Sequence, residues 1–339
     1  MARDGWKNRR YFAVQSRLDQ KQPSEGSVDC KRRVYIMGNK KDVLISIVNG
    51  SNRGYIHECV SSIYAKTTGI TYDVVVIDNC TGEEGLSRLE ERGVKLLLNS
   101  EPMGFSRNHA QILPMIDDYR HVVLFNDDAF LINNVFKLMV QEADSDLNVA
   151  IAGCHITDPD GELQPTAARF PTIRYFVSNM LGTDQQSGYR YSDFFRCYID
   201  FSESQYVDWV SGCCMLLPTD FIKKYGFLDV EYFMFLEDAD ICRRAHRVGK
   251  KVKYIAEAEV VHHRGGSSKG DGGKMKPFLF LETQRSRLRF LRKESFFQYL
   301  LYFMFIYPFI GLKLMRSYWR GDIGWSNEVL GRLVKMPLH

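Results

Sequence analysis

The chain has 339 residues, 45% hydrophobic and 25% charged, with a formal net charge of +4. That length suits one large α/β domain plus an appendage, or two modest domains, and the composition is ordinary for a globular protein. The charge is too mild to argue for nucleic acid, and no arginine-rich block or basic-aromatic motif supports such a partner, so nucleic-acid binding is set aside.

Residues 1–41 read as a polar extension. No apolar run follows the basic residues near the start, so a secretory signal is not expected there. Ordered structure is expected from Val43. The apolar, β-branched run Val43-Leu44-Ile45-Ser46-Ile47-Val48, closed by Asn49-Gly50-Ser51-Asn52, predicts a buried strand and a turn. Ile56, Cys59, Val60, Ile63 and Tyr64 follow at helix spacing. Asp73-Val74-Val75-Val76-Ile77 is a second strand, ending at Asp78-Asn79. A polar helix near 83–92, a strand at 94–98, a helix after Asn108 and a strand at 122–125 come next. Strand alternating with helix implies parallel strands joined by crossovers, with ligands at the strands' carboxyl ends. Those ends carry Asn49, Asp78, Asn99 and Asn126-Asp127-Asp128. No GxGxxG follows the first strand and no GxxxxGK[ST] occurs, which disfavours a dinucleotide dehydrogenase and a P-loop enzyme.

From about 150 to 208 the pattern loosens around the turn Asp158-Pro159-Asp160-Gly161, and we read 169–204 as a variable, substrate-facing segment. Order is expected to return with a strand at 214–217, helices at 219–225 and 238–248, and a strand at 251–255. The eight cysteines form no CxxC pair and read as reduced, mostly buried thiols of a cytosolic protein. In the C-terminal region, arginines and Lys293 precede a Tyr- and Phe-rich apolar stretch at 296–312, with Lys313, Arg316 and Arg320 after it. The stretch approaches the roughly 20 residues that span a bilayer. Three uses stay open for it: lying at the membrane interface, spanning the membrane, or packing as a core helix or a homo-oligomer contact.

Three short motifs carry candidate chemistry. Carboxylates in Asn126-Asp127-Asp128 can hold a hard divalent cation, although Asp-Asp at a strand end also serves as a turn or cap. Glu237-Asp238 opens a helix whose apolar face is Ile241, Cys242, Ala245 and Val248. The helix N-terminus favours an ionised Asp238, able to take a proton from a hydroxyl or simply to cap the helix. His262-His263 follows Val260-Val261 and can complete a carboxylate-bound metal's shell or be ordinary loop histidines.

Taken in order, these pieces resemble glycosyltransferase family 2 of the GT-A fold, in its rhamnosyltransferase-like branch. The matching segments begin at Ser46-Ile47-Val48-Asn49-Gly50, Val75-Val76-Ile77-Asp78-Asn79, Met103-Gly104-Phe105-Ser106-Arg107-Asn108 and Asn126-Asp127-Asp128. They continue through Val210-Ser211-Gly212-Cys213-Cys214, Tyr225-Gly226-Phe227-Leu228-Asp229, Phe235-Leu236-Glu237-Asp238-Ala239-Asp240 and Val260-Val261-His262-His263-Arg264-Gly265-Gly266-Ser267-Ser268. The resemblance implies a Rossmann-like, mostly parallel α/β sheet flanked by helices over 42–270, while the apolar stretch and its flanking charges give 271–339 as a helical, membrane-associating region. The resemblance also implies an inverting, metal-dependent glycosyltransferase, and the C-terminal apolar stretch is expected to hold it peripherally at the cytoplasmic face of the membrane. The donor would be dTDP-rhamnose or a UDP-sugar, the acceptor a lipid-linked saccharide or growing polysaccharide, and the cofactor Mn2+ or Mg2+. Asp238 takes the catalytic-base position. Val48, Asn49, Asp78, Arg107, Asn126 and Asp127 fall on the nucleotide-sugar side, Trp209 and Glu237 on the acceptor side, and Asp128 and His262 at the metal. Asn126 departs from the acidic first member of the family's DXD motif, and His263 competes with His262. A sugar nucleotidyltransferase and a non-catalytic membrane scaffold are the alternatives. The first fits Asn49-Gly50-Ser51-Asn52-Arg53 poorly as a phosphate loop.

Overall fold

The computed structural model describes residues 40–50, 54–181, 199–263 and 276–335. Almost all of the polar extension, the 264–268 end of the last motif, Cys30 and Cys197 lie outside the described residues. In chain order the strands are β1 (Lys41–Asn49), β2 (Tyr72–Asp78), β3 (Lys95–Leu98), β4 (Tyr119–Asn126), β5 (Ala129–Leu131), β6 (Val149–Thr157), β7 (Ala167–Ala168), β8 (Gln205–Val207), β9 (Trp209–Val210), β10 (Cys214–Pro218) and β11 (Lys251–His262). The helices are α1 (Tyr55–Lys66), α2 (Ser87–Glu91), α3 (Phe105–Ala110), α4 (Val135–Ser145), α5 (Ile173–Leu181), α6 (Thr219–Tyr225), α7 (Glu237–Arg247), α8 (Pro277–Glu294), α9 (Phe296–Trp319) and α10 (Ile323–Lys335).

The central sheet runs β3-β2-β1-β4-β10-β6-β11-β5, with β8 added beside β11. Within it β3, β2, β1, β4, β6 and β11 are parallel, while β10, β5 and β8 run against them. The mostly parallel α/β sheet expected from strand-helix alternation is therefore present. Side chains alternate across it, as the two-residue period of a strand requires. Val43, Ile45 and Ile47 join a core with Ile56, Val60 and Ile63 of α1 and Phe136 and Met139 of α4. Leu44 looks the other way, into a core with Phe221 and Ile222 of α6 and Ile241, Cys242 and Ala245 of α7. Both faces are covered by helices, which is what near-continuous apolar strands demand.

Some elements differ from expectation. The polar helix near 83–92 shrinks to α2, because Gly82 and Gly85 take left-handed backbone at φ 66° and 77° just before it. The loose region beginning near 150 contains β6, whose Val-Ala-Ile-Ala-Gly-Cys-His-Ile-Thr run mixes small residues among the β-branched ones. β11 does not stop at Ile255 but continues to His262, with a pairing irregularity between Ile255 and Glu259. Five described cysteines are buried and Cys80 is exposed.

The C-terminal apolar stretch is one 24-residue helix, α9, with Pro308 inside it. Tyr302, Ile306 and Ile310 are its buried face, packed into a cluster with Leu281, Leu288 and Leu291 of α8 and Val329 of α10. On the opposite face Phe297, Leu301, Met304, Leu312, Met315 and Trp319 are exposed, Trp319 at 95%. Among the described residues α9 alone is long and apolar enough to cross a membrane, by length and composition.

Candidate active site

The carboxyl ends of β1 and β2 are neighbours, because the strands pair in register with Asn49 opposite Asp78. The buried Asn49 Nδ2 donates to Asp78 Oδ1 at 3.0 Å and Glu83 Oε2 at 2.9 Å, with Thr81 Oγ1 at 3.1 Å. Thr81 also donates to Asp78 through its backbone N–H and its hydroxyl. Asp78 is thus fixed by three donors at the mouth of the sheet. Val48 precedes Asn49 and is partly exposed. An asparagine network holds the next loop. Asn79 accepts from the Met103 N–H at 2.7 Å and donates to the Met103 carbonyl at 3.0 Å. Asn99 donates to Asn79 at 3.0 Å and to Asn108 at 2.6 Å. That loop ends at Gly104, where an added Cβ would lie 2.5 Å from the Phe233 carbonyl oxygen, so no side chain fits. The Phe105 N–H donates to the same oxygen at 2.8 Å.

The acidic turn joins β4 to the short β5, and β5 pairs with the end of β11 so that Ala129 faces His262. This register sets His262 Nε2 3.1 Å from Asp128 Oδ1 and 3.2 Å from Asn126 Nδ2. His263 points elsewhere and packs against Tyr55 and Phe130, with ring centroids 4.8 and 5.2 Å away. Of the two histidines, His262 is the one beside the carboxylate. Its other nitrogen, Nδ1, lies 2.9 Å from the buried Gln164 Oε1, and Gln164 Nε2 donates to the His262 carbonyl at 2.6 Å. Gln164 thereby fixes the ring so that Nε2 faces Asp128, the arrangement metal-binding histidines use. Burial works against a charged His262, but Cys213 and Asp128 outweigh it and raise its pKa to about 10. Asp127 Oδ2 accepts from the Gly50 N–H at 2.9 Å, tying the acidic turn to the end of β1.

Asp238 lies in the first turn of α7, with Glu237 before it and Asp240 after it. Phe235 and Leu236 enter this turn with φ of 72° and 69°. Two successive non-glycine residues in left-handed backbone cost on the order of 1–3 kcal/mol each, and such strain persists only where the surroundings impose it. Asp238 Oδ2 accepts from the Gly212 N–H at 3.1 Å and Oδ1 from its neighbour's N–H, at Ala239, at 2.7 Å. Protein encloses most of the carboxylate, yet the residue keeps partial exposure. Burial raises its pKa, and the two backbone donors offset part of that rise. Glu237 is packed inside, at 6% exposure, with Oε2 unpaired. Burial and then the adjacent Asp238 push its pKa well up.

One dipeptide links these two groups. The Gly212 N–H holds Asp238, and the Cys213 carbonyl accepts from the Asn126 N–H at 2.9 Å. The structure thus gathers Asn49, Asp78, Asn126, Asp127, Asp128 and His262 along the strand ends, with Asp238 linked to them through Gly212-Cys213. Arg107 is exposed on α3 and donates to the Val230 carbonyl at 3.3 Å. Trp209 is partly buried in β9, with its indole N–H bonded to the Arg169 carbonyl at 3.0 Å. Residue reasoning missed Gln164, Thr81 and the Asn79–Asn99–Asn108 contacts. None sits in a motif that names its partner, although Asn79, Asn99 and Asn108 stand at recognisable strand and loop ends.

The family model described as glycosyltransferase like family 2 matches residues 41–285. An N-acetylglucosaminyl-diphospho-decaprenol L-rhamnosyltransferase of Mycobacterium tuberculosis is 29% identical over 159 residues, covering 47% of this chain and 51% of that protein. This chain therefore aligns with about half the length of that relative. Rhamnosyltransferase WbbL of Escherichia coli K12 is 26% identical over 233 residues, 65% of this chain and 83% of its own. Among solved structures, GalNAc-T7 with UDP, GalNAc and Mn2+ has a TM-score of 0.52 at 14% identity, covering 74% of this chain and 48% of that one. The mannosyltransferase PcManGT of Pyrobaculum calidifontis, with GDP-Man and Mn2+, has a TM-score of 0.51 at 12% identity, covering 97% and 87%. At such identities the likeness concerns the fold, and the fold is GT-A.

Proposed function

The chain belongs to glycosyltransferase-like family 2, and from this we propose that it transfers a sugar, with inversion, from a nucleoside diphosphate donor to a hydroxyl of a lipid-linked saccharide or growing polysaccharide. The observation that carries the reading is the placement of Asp238 across one dipeptide from the Asn126-Asp127-Asp128 turn, so that a base and a diphosphate site share one cleft. The two rhamnosyltransferase relatives favour dTDP-rhamnose as donor, with UDP-sugars as the alternative.

In this reading Asp78, oriented by Asn49 and Thr81, takes the base of the nucleotide, with Val48 packed against the nucleoside. Asp127, Asn126 and Arg107 lie on the sugar-phosphate side. Trp209 and Glu237 lie on the acceptor side. Asp238 accepts the proton of the attacking hydroxyl, which approaches the anomeric carbon opposite the leaving diphosphate. No covalent glycosyl-enzyme forms, so positioning and electrostatics supply the rate. A divalent cation fits the donor set. Asp128 would offer a hard oxygen, and His262, oriented by Gln164, would offer an imidazole nitrogen once the cation displaces the proton that Asp128 now stabilises, a pair for Mn2+ or Mg2+. When bound, the cation would neutralise charge on the leaving diphosphate.

A thermal-shift screen of nucleotide sugars tests the donor. At about 100 times its dissociation constant the right donor should stabilise the fold by roughly 2.7 kcal/mol. Absence of stabilisation by every dTDP-, UDP- and GDP-sugar would count against the proposal.

We further place the protein peripherally at the cytoplasmic membrane face. The support is the exposed apolar face of α9, near which Arg316 and Arg320 suit anionic headgroups, whereas Lys313 turns inward over Phe280 and Trp325. Co-sedimentation with phosphatidylglycerol vesicles should be strong and should weaken on Trp319→Ser together with Met315→Ser. Equal sedimentation of that double variant and the wild type would exclude α9 as the contact.

A further inference from the structure

Ser286, Arg289 and Lys293 stand at i, i+3 and i+7 on α8, one face of that helix. All three reach the loop that runs into α7. The buried Ser286 Oγ donates to the Met234 carbonyl at 2.9 Å, immediately before the two left-handed residues Phe235 and Leu236. Arg289 donates to the Glu231 carbonyl and pairs with its carboxylate at 3.1 Å. Lys293 Nζ bridges Asp229 at 2.6 Å and Asp240 at 2.7 Å, joining the start of the loop to the first turn of α7. Phe278, at the start of α8, packs edge-on against Phe233 at 4.9 Å between centroids. At the other end of α8, Glu294 pairs with Arg243 and Arg247 of α7.

The far side of the same loop is held too. The Phe233 carbonyl accepts from the Phe105 N–H, and Gly104 leaves no room for a shift toward it. The loop is gripped between the donor-side turn and α8. A left-handed pair of bulky residues does not hold itself, and Leu236 packs into the cluster that α8 and α9 form. The grip from α8 is what can over-determine it.

We propose that α8 is a positioning element for Asp238. Ser286, Arg289 and Lys293 hold the 229–236 loop so that the first turn of α7 presents the carboxylate to the cleft. The inference rests on Asp238 being the base, and it assigns to the C-terminal helices a part in the reaction separate from any membrane contact.

The test uses the full chain and two variants, Ser286→Ala and Arg289→Met, with Ser286→Thr and Arg289→Lys as conservative partners. Neither main change leaves a buried charge unpaired, so both chains should fold. Release of dTDP from dTDP-rhamnose gives kcat, calorimetry gives dTDP affinity, and amide hydrogen exchange follows residues 231–240. The expected result is kcat about tenfold lower with dTDP affinity changed by less than about twofold, since sub-ångström misplacement of a reacting group costs rate rather than binding. Exchange at 236–240 should accelerate, and the conservative changes Ser286→Thr and Arg289→Lys should retain most of the wild-type rate and protection. A purely structural role would lower the melting temperature and leave kcat and local exchange as in the wild type, and that outcome overturns the proposal. If the wild type binds dTDP but releases none from any nucleotide sugar, the glycosyl-transfer reading fails. The exchange arm then decides alone whether α8 holds the loop: acceleration supports it and no change refutes it.

Discussion

Asp238→Asn should lower kcat by about 100- to 10,000-fold, the range a general base contributes, with donor affinity nearly unchanged. Asparagine keeps the volume of the side chain and one acceptor oxygen, so it can still receive the Ala239 or the Gly212 N–H. It cannot take a proton. The pH dependence gives a second signature. Burial raises the pKa of Asp238, so the acid limb of the kcat profile should lie above the ordinary carboxylate range. Below that pKa the carboxyl is protonated and inert, and the rate should rise with pH until it ionises, then level off. A variant within tenfold of wild type would remove Asp238 from the base role. So would an acid limb that persists unchanged in Asp238→Asn.

The second large effect concerns Asp128 and His262. Asp128→Ala and His262→Ala should each weaken Mn2+ binding in the presence of dTDP by more than the roughly 10- to 100-fold typical when only a residue orienting a ligand is lost. Gln164→Ala should fall within that lesser range, because it removes the acceptor at Nδ1 but leaves Nε2 in place. His263→Ala should change little, since its ring contacts Tyr55 and Phe130 rather than Asp128. Titration calorimetry of Mn2+ reads all four chains without needing turnover. Equal losses at His262 and His263, or none at Asp128, would reject this ligand pair.

The strand ends of β1, β2 and β4 were legible because apolar β-branched runs stop at Asn49, Asp78 and Asn126, and a parallel sheet puts its site there. The helix at 219–225 and the start of α7 could likewise be read from helix spacing. The contact between Asp128 and His262 was anticipated only through the family resemblance, not from spacing. It depends on the three residues of β5 and their register against β11, and three residues carry no period to recognise. Spacing left His262 and His263 open for the same reason, since only the pairing of β11 with β5 says that the strand's last residue, His262, faces the acidic turn. β6 escaped because Ala150, Ala152 and Gly153 thin its β-branched pattern, even though most of the strand is buried. Gln164 had no signal of any kind. Its role follows from the turn at Asp158–Gly161 carrying the chain back beside His262. The two left-handed residues before Glu237 also have no sequence mark, because Phe and Leu are poor choices for that backbone.

The Gly212-Cys213 dipeptide has a bearing on how this scaffold can change over time. The Gly212 N–H grips Asp238 and the Cys213 carbonyl, two peptide units on, grips the acidic turn, so in the proposed reading the span between base and diphosphate site is gauged by two residues of chain. Lengthening or shortening the chain there would reset the reaction coordinate itself. Drift in the surrounding loops, by contrast, can exchange one acceptor for another and leave that gauge alone. In the proposed reading, that gauge fixes the geometry of displacement independently of which acceptor the loops hold.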